Sequence, residues 1–191
     1  GRANRSGSSS SSNRSLLSKL TQNTTPLARY NRVDALYLGL KRERSFFDYR
    51  LTTSAFVGYS TGYDDGTFSY GGTLTWRPLK EIRRFSIYGG YEAGTETRYN
   101  SDMFSPVLTS FNAVLGYADY FDYYRNEGVE FGVQHYLRGY GSIKLSYNYE
   151  QHSSISYKTS YDIAGRNNLQ RPNSYIDEGN LASIFLSLSN G

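Results

Sequence analysis

The sequence has no cysteine, one methionine, one tryptophan and four prolines among its 191 residues. Without cysteine there are no disulfides and no thiolate metal sites, which fits an exported protein without requiring export. Hydrophobic residues reach only 38%, low for a soluble globule of this length. No apolar run approaches the roughly 18 residues that a transmembrane helix needs. A β-barrel escapes that exclusion, because each spanning strand takes only about ten residues and half of them face lipid. The formal net charge of +4 is small and spread along the chain. Nucleic acid is therefore not an expected partner. No signal peptide is visible: the given sequence opens on Gly1 and its first fifteen residues are polar. It closes on Ser189-Asn190-Gly191, a turn signal just after an apolar strand. The expectation is a fragment cut at both ends.

What is present is a strong bias toward Tyr and Gly, with twenty and nineteen copies, and a rhythm of two. In Thr67 to Arg77, Phe68, Tyr70, Gly72, Leu74 and Trp76 fall on one face, opposite Thr67, Ser69, Gly71, Thr73, Thr75 and Arg77. A strand sends successive side chains to opposite sides, so this is a ribbon with one apolar and one polar surface. Aromatics near both ends of the apolar face suit a surface that meets lipid headgroups at two levels.

The same ribbon recurs along the chain. Residues 1–29 are expected to be a disordered Ser/Arg-rich lead, with a short turn of helix before Pro26. The ordered domain is expected over 30–191. Leu36, Leu38 and Leu40 share a face in the first strand, from Tyr30. A second strand starts at Phe47 and runs to Tyr59, and Asp64-Asp65-Gly66 is a hairpin turn. Pro78 ends the third strand, and Lys41 to Arg44 and Arg77 to Arg84 read as basic connections. The fourth strand carries Phe85, Ile87, Gly89, Tyr91 and Ala93 against a polar side that places Glu92 and Glu96 inside. Val107 to Tyr117 reads as either a strand or a short packed helix. Val129 to Leu137 and Ile143 to Tyr149 form a hairpin across the tight turn Arg138-Gly139-Tyr140-Gly141. Gln151 to Asp177 is a long polar loop, and Ala182, Ile184, Leu186 and Leu188 line the last strand.

The expected fold is all-β: an antiparallel up-and-down transmembrane barrel, or a partial barrel or curved meander sheet, of about seven or eight strands. Short and longer connections alternate, and short turns are periplasmic in outer-membrane barrels. By that rule the strand beginning at Tyr30 runs inward. Strands near ten residues long, Tyr on the apolar face and mid-strand charges on the other favour this barrel over a soluble β-sandwich or lipocalin-like barrel.

Tyr30 to Gly39, YNRVDALYLG, resembles the first barrel strand of the bacterial surface antigen superfamily of outer-membrane β-barrels, which opens with an Asn-Arg-Val-Glu-Gly-Leu-type motif. Asp34 and Ala35 stand where Glu and Gly are usual. Asp119 to Gly128, DYFDYYRNEG, and Tyr59 to Tyr70 resemble segments of the related barrels that follow a carboxypeptidase-regulatory-like domain on the same polypeptide. The resemblance covers Tyr30 to about Tyr161. It implies a Gram-negative outer membrane, contact with its lipid bilayer and lipopolysaccharide, a periplasmic module upstream, and a first strand running outward. It also implies a membrane anchor or a scaffold for protein insertion or translocation. Leu137-Arg138-Gly139-Tyr140 is similar to the Arg-Gly-aromatic loop of translocating members, but lies in a tight turn, so that role is not carried over.

Candidate chemistry is thin, and no catalytic, cofactor-binding or metal residue is assigned. An outer-membrane hydrolase would need His135 or His152 oriented beside a serine. His135 is read as interfacial and His152 as a loop residue. Asp64-Asp65 reads as a turn, and Asp119 and Asp122 as solvated or paired with Arg125, rather than as metal ligands. Gly71-Gly72 and Gly89-Gly90 sit inside strands, where they relieve crowding or allow bending. Arg50, Arg77, Glu92, Glu96, Glu130, Lys144 and Glu150 are expected to line the interior, either as a porin-like charge filter or as mutually paired charges.

Overall fold

Among the described residues eight strands pair in chain order, each antiparallel to the next. They are β1 (Thr24–Asn31), β2 (Ala35–Phe46), β3 (Leu51–Ser60), β4 (Thr67–Trp76), β5 (Phe85–Thr97), β6 (Tyr123–Leu137), β7 (Gly141–Ser154) and β8 (Gly179–Ser189). One helix, α1 (Pro106–Val114), lies between β5 and β6 and packs against β1. The computed structural model describes residues 23–62, 67–78, 84–97, 106–115, 117, 119, 121–156 and 172–189. The Ser/Arg-rich lead up to residue 22 and the Asp64-Asp65-Gly66 turn lie outside the described residues. So does the middle of the Gln151 to Asp177 loop. Among the described residues no helix is long and apolar enough to cross a membrane, which says nothing of strands.

The fold is an all-β meander forming a single open sheet, and it is strongly curled. Arg29 of β1 donates from Nη2 to the backbone oxygen of Thr95 in β5 at 3.4 Å. In a flat sheet β1 and β5 would lie four strand spacings, about 19 Å, apart. Curling brings them together at one end of the strands, which gives the sheet a concave and a convex face.

The expected alternation holds along the strands, with the apolar residues on the convex side. Leu38 pairs with Tyr59, Tyr59 with Phe68, Trp76 with Ile87, Ile87 with Val133, Val133 with Leu145 and Leu145 with Leu186. These side chains are exposed, up to 68% for Leu186. The buried residues are instead mostly small and polar, among them Ser60, Ser69, Ser86, Asn126 and Ser146. Among the described residues one buried apolar cluster forms, and it is small: Val33, Tyr123 and Ile155, with Phe121 packed against it.

Aromatic rings fill the space above glycines. A Cβ on Gly58 would collide with the Tyr37 hydroxyl oxygen, and one on Gly132 with that of Tyr88. Phe56 covers Gly71 and Phe131 covers Gly89 in the same way. Each pair lies on neighbouring strands and locks their register while letting the sheet bend. Gly71 and Gly89 thus relieve crowding, as their place inside strands suggested.

The sequence reading is corrected at three places. The first strand starts at Thr24, within the expected lead. Pro26 is tolerated there because odd-numbered residues face β2, as the Glu43 N–H to Asn23 O bond shows. Tyr30 sends its N–H away from β2 to the Ser110 hydroxyl at 3.1 Å. Pro26 shares that parity, so its missing N–H costs no ladder bond. The Tyr30–Leu40 ribbon is also two strands, broken at Asn31 to Asp34. There Asn31 Oδ1 accepts the N–H groups of Val33 and Asp34 at 2.9 and 2.6 Å, an Asx turn. Third, β2 continues through Lys41 to Arg44, and the chain turns at Phe47, Asp48 and Tyr49, all with left-handed φ. Of the two readings of Val107 to Tyr117, the short packed helix holds, as Pro106–Val114, and the eighth strand is β1.

Candidate functional site

The concave face holds a cavity of about 750 Å³. One row of paired residues crosses the whole sheet from Thr25 to Leu181, and Lys41, Phe56, Glu92, Gly128 and Glu150 of that row line the cavity. Gly128 leaves room between Glu92 and Glu150, and a Cβ there would meet Glu150 Cγ at 2.8 Å. The Glu150 side chain therefore leans over Gly128 toward Glu92. Charge is divided across the cavity: Arg29 and Lys41 lie on β1 and β2, and Glu92, Glu96, Glu130 and Glu150 on β5 to β7.

Most of these charges have local partners. Lys144 Nζ lies 2.9 Å from Glu130 Oε1 and over the Tyr88 ring, whose hydroxyl donates to the same carboxylate at 3.0 Å. His152 Nε2 is 3.1 Å from Glu150 Oε2, and its ring packs on Tyr124. The Tyr124 hydroxyl donates to Glu96 at 3.0 Å. Lys41 and Glu92 have no hydrogen-bond or ion-pair partner among the described residues. The side-chain carbonyl oxygens of Asn126 and Asn148, which also line the cavity, are buried without a hydrogen bond.

One end of the cavity is capped by the β1–β2 turn. Asp34 is fully buried, and four side chains donate to its carboxylate: Arg29 Nε at 3.1 Å, Asn31 Nδ2 at 3.0 Å, Ser60 Oγ at 3.0 Å and Thr95 Oγ1 at 2.8 Å. Arg32, only 1% exposed, donates to the backbone oxygen of Asp119, to Asp122 Oδ1 at 3.4 Å and to Asn173 Oδ1 at 3.2 Å. Asn173 in turn accepts the Tyr123 N–H and donates to the carbonyls of Tyr123 and Ile155. The turn thus ties β3, β5, β6 and the segments on either side of β8's long connection into one buried polar network.

Of the interior charges expected, Glu92, Glu96, Glu130 and Glu150 line the cavity, and Lys144 is held on Glu130. Arg50 and Arg77 do not; they pin strand ends, donating to the backbone oxygens of Pro78 at 2.7 Å and Tyr49 at 3.0 Å. Asp119 and Asp122 pair with Arg32 and not with Arg125, which reaches the Phe68 carbonyl. His135 sits on the convex face against Phe85. Among the described residues neither histidine meets a serine hydroxyl, and no cluster of three His, Asp or Glu can hold a metal. Arg138 to Tyr140 is a tight turn. Reading Lys41 as part of a connection hid it, although its parity with Tyr37 and Gly39 places it on the concave face.

Comparisons with protein-family models, with curated proteins and with solved structures returned no match.

Proposed function

We propose that this chain forms the wall of a membrane-spanning β-barrel in the outer membrane of a Gram-negative bacterium, of surface-antigen type. In this reading it serves as an anchor or as a scaffold for protein insertion or translocation. One observation carries the reading: the convex face carries exposed large apolar side chains on every strand from β2 to β8, while the concave face is polar. A soluble protein rarely leaves so wide an apolar surface open to water. Ten-residue strands such as β3 and β4, tilted by about 40°, rise about 25 Å, which matches the apolar band of such barrels. Tyr59, Phe68, Tyr70 and Tyr149 crowd the convex face near the capped end, and Phe47, Tyr49, Trp76 and Tyr140 are exposed near the other. That is the arrangement of two interfacial girdles.

The connections at the uncapped end, after β2 and β6, are short, and those at the capped end after β5 and β7 are long. With short turns periplasmic, β1 runs outward and β2 inward. The buried cap at the outer end favours an anchor or scaffold over an open diffusion channel.

The test uses the single tryptophan. On addition of lipid vesicles the chain should gain a cooperative β-sheet circular dichroism signal, and Trp76 should be quenched by lipids brominated near the headgroup. Cooperative folding in plain buffer, with Trp76 unaffected by brominated lipid, would sink the membrane reading in favour of a soluble β-sheet module. Ion conductance across a planar bilayer separates a porin from a capped barrel.

A further inference from the structure

We propose that the concave cavity binds a small zwitterion, a molecule with an ammonium or guanidinium group at one end and a carboxylate at the other, such as a short peptide. The inference stands on the hydrogen-bonding capacity that the fold leaves unused. On the β2 wall that capacity is the Lys41 ammonium. On the β5–β7 wall it is the Glu92 carboxylate with the side-chain carbonyls of Asn126 and Asn148. Asn126 is only 5% exposed, yet its carbonyl oxygen has no donor. A buried acceptor left without a partner is costly, so a donor from a ligand or an ordered water belongs there.

The two walls demand opposite ends of one ligand. Lys41 and Glu92 occupy the same row of the sheet, separated by Phe56 and Gly71 on the intervening strands. The curl of the sheet turns them toward a shared space. A pure cation would find Glu92 and the amide oxygens but would meet Lys41 and Arg29 opposite. A pure anion would meet four carboxylates. A zwitterion satisfies both walls and aligns with the field between them. The volume of about 750 Å³ falls in the usual range for small-molecule sites, about 300–1,000 Å³. The site belongs to the concave face whatever medium covers the convex one, so it does not rest on the membrane reading.

The test is calorimetric titration of the full chain in the medium, micelles or plain buffer, where it shows a cooperative urea transition. The probes are triglycine, its acetylated and amidated derivative, spermidine and citrate. Triglycine should saturate one site and bind about tenfold or more tightly than any of the other three, the scale of one charge-assisted hydrogen bond. Lys41→Met and Glu92→Gln should each weaken triglycine about tenfold without moving the urea midpoint, because neither side chain supports the fold. Asn148→Ala should weaken it less. Failure of the folded chain to saturate with triglycine overturns the proposal. So does equal affinity for spermidine, which would mark a merely acidic surface, or indifference to both charge substitutions.

Discussion

Thr95 Oγ1 donates to Asp34 Oδ1 at 2.8 Å, joining a turn that follows β1 to a strand 61 residues further on. The pairing of β4 with β5 stops at Tyr70 and Ala93, so β5 outruns its neighbour and its end is open to Asp34. With Arg29, Asn31 and Ser60 completing the set, this carboxylate is the joint that holds the curled sheet shut at its capped end.

Removing that joint should cost far more than removing a single spoke. Asp34→Ala should destabilise the folded chain by about 3–5 kcal/mol, because Arg29 and three neutral donors lose their acceptor. Thr95→Val should cost about 1 kcal/mol. Lys144→Met breaks a pair whose side chains are 40% and 35% exposed, and should cost less than about 1 kcal/mol. Urea midpoints of the three variants rank them, and a midpoint for Asp34→Ala equal to that of Thr95→Val would remove Asp34 from this role.

Tyr37 and Gly58 make a second test. Gly58→Ala forces the phenol off the glycine and should cost about 1–3 kcal/mol by overpacking. In a Tyr37→Ala background the same change should be nearly neutral, and the coupling read from the double-mutant cycle measures the contact. Additive costs would show that the ring does not rest on Gly58.

Arg32→Lys keeps the charge and loses the fork. Lysine cannot reach the Asp119 carbonyl, Asp122 and Asn173 together, so the substitution should lower stability by about 1.5–3 kcal/mol. The near-ultraviolet dichroism should change as well, since Arg32 also lies over the Tyr123 ring. An unchanged aromatic signal and midpoint would show that a plain positive charge suffices at that position.

The two faces should differ in their tolerance of charge. Val57→Arg, on the convex face in the middle of β3, should cost about 2–4 kcal/mol in a bilayer. Ser54→Arg, on the concave face of the same strand, should be close to neutral. Measured as the fraction folded in vesicles across a urea series, equal costs on the two faces would argue against lipid on the convex side. In plain water, an exposed Val57 gains nothing from staying apolar.

The order of the strands from β2 onward and the identity of their faces were legible in the residues themselves. Alternation of apolar and polar side chains is a property of the extended chain, and residues such as Leu74 and Thr73 display it without reference to any neighbour. The Glu residues of the cavity could be assigned to the concave face for the same reason. Three things required the folded structure. The turn at Asn31 to Asp34 was hidden because Tyr30 and the leucines of β2 share one parity across it, and only the Asx turn and buried carboxylate break the run. The strand at Thr24 was hidden by Pro26, whose harmlessness depends on which way β2 lies. The cap, the shared row of Lys41 and Glu92, and the partner of Asp119 depend on contacts between residues 51 to 141 positions apart. Such distances are closed by the curl of the sheet, which the pattern within any one strand does not encode.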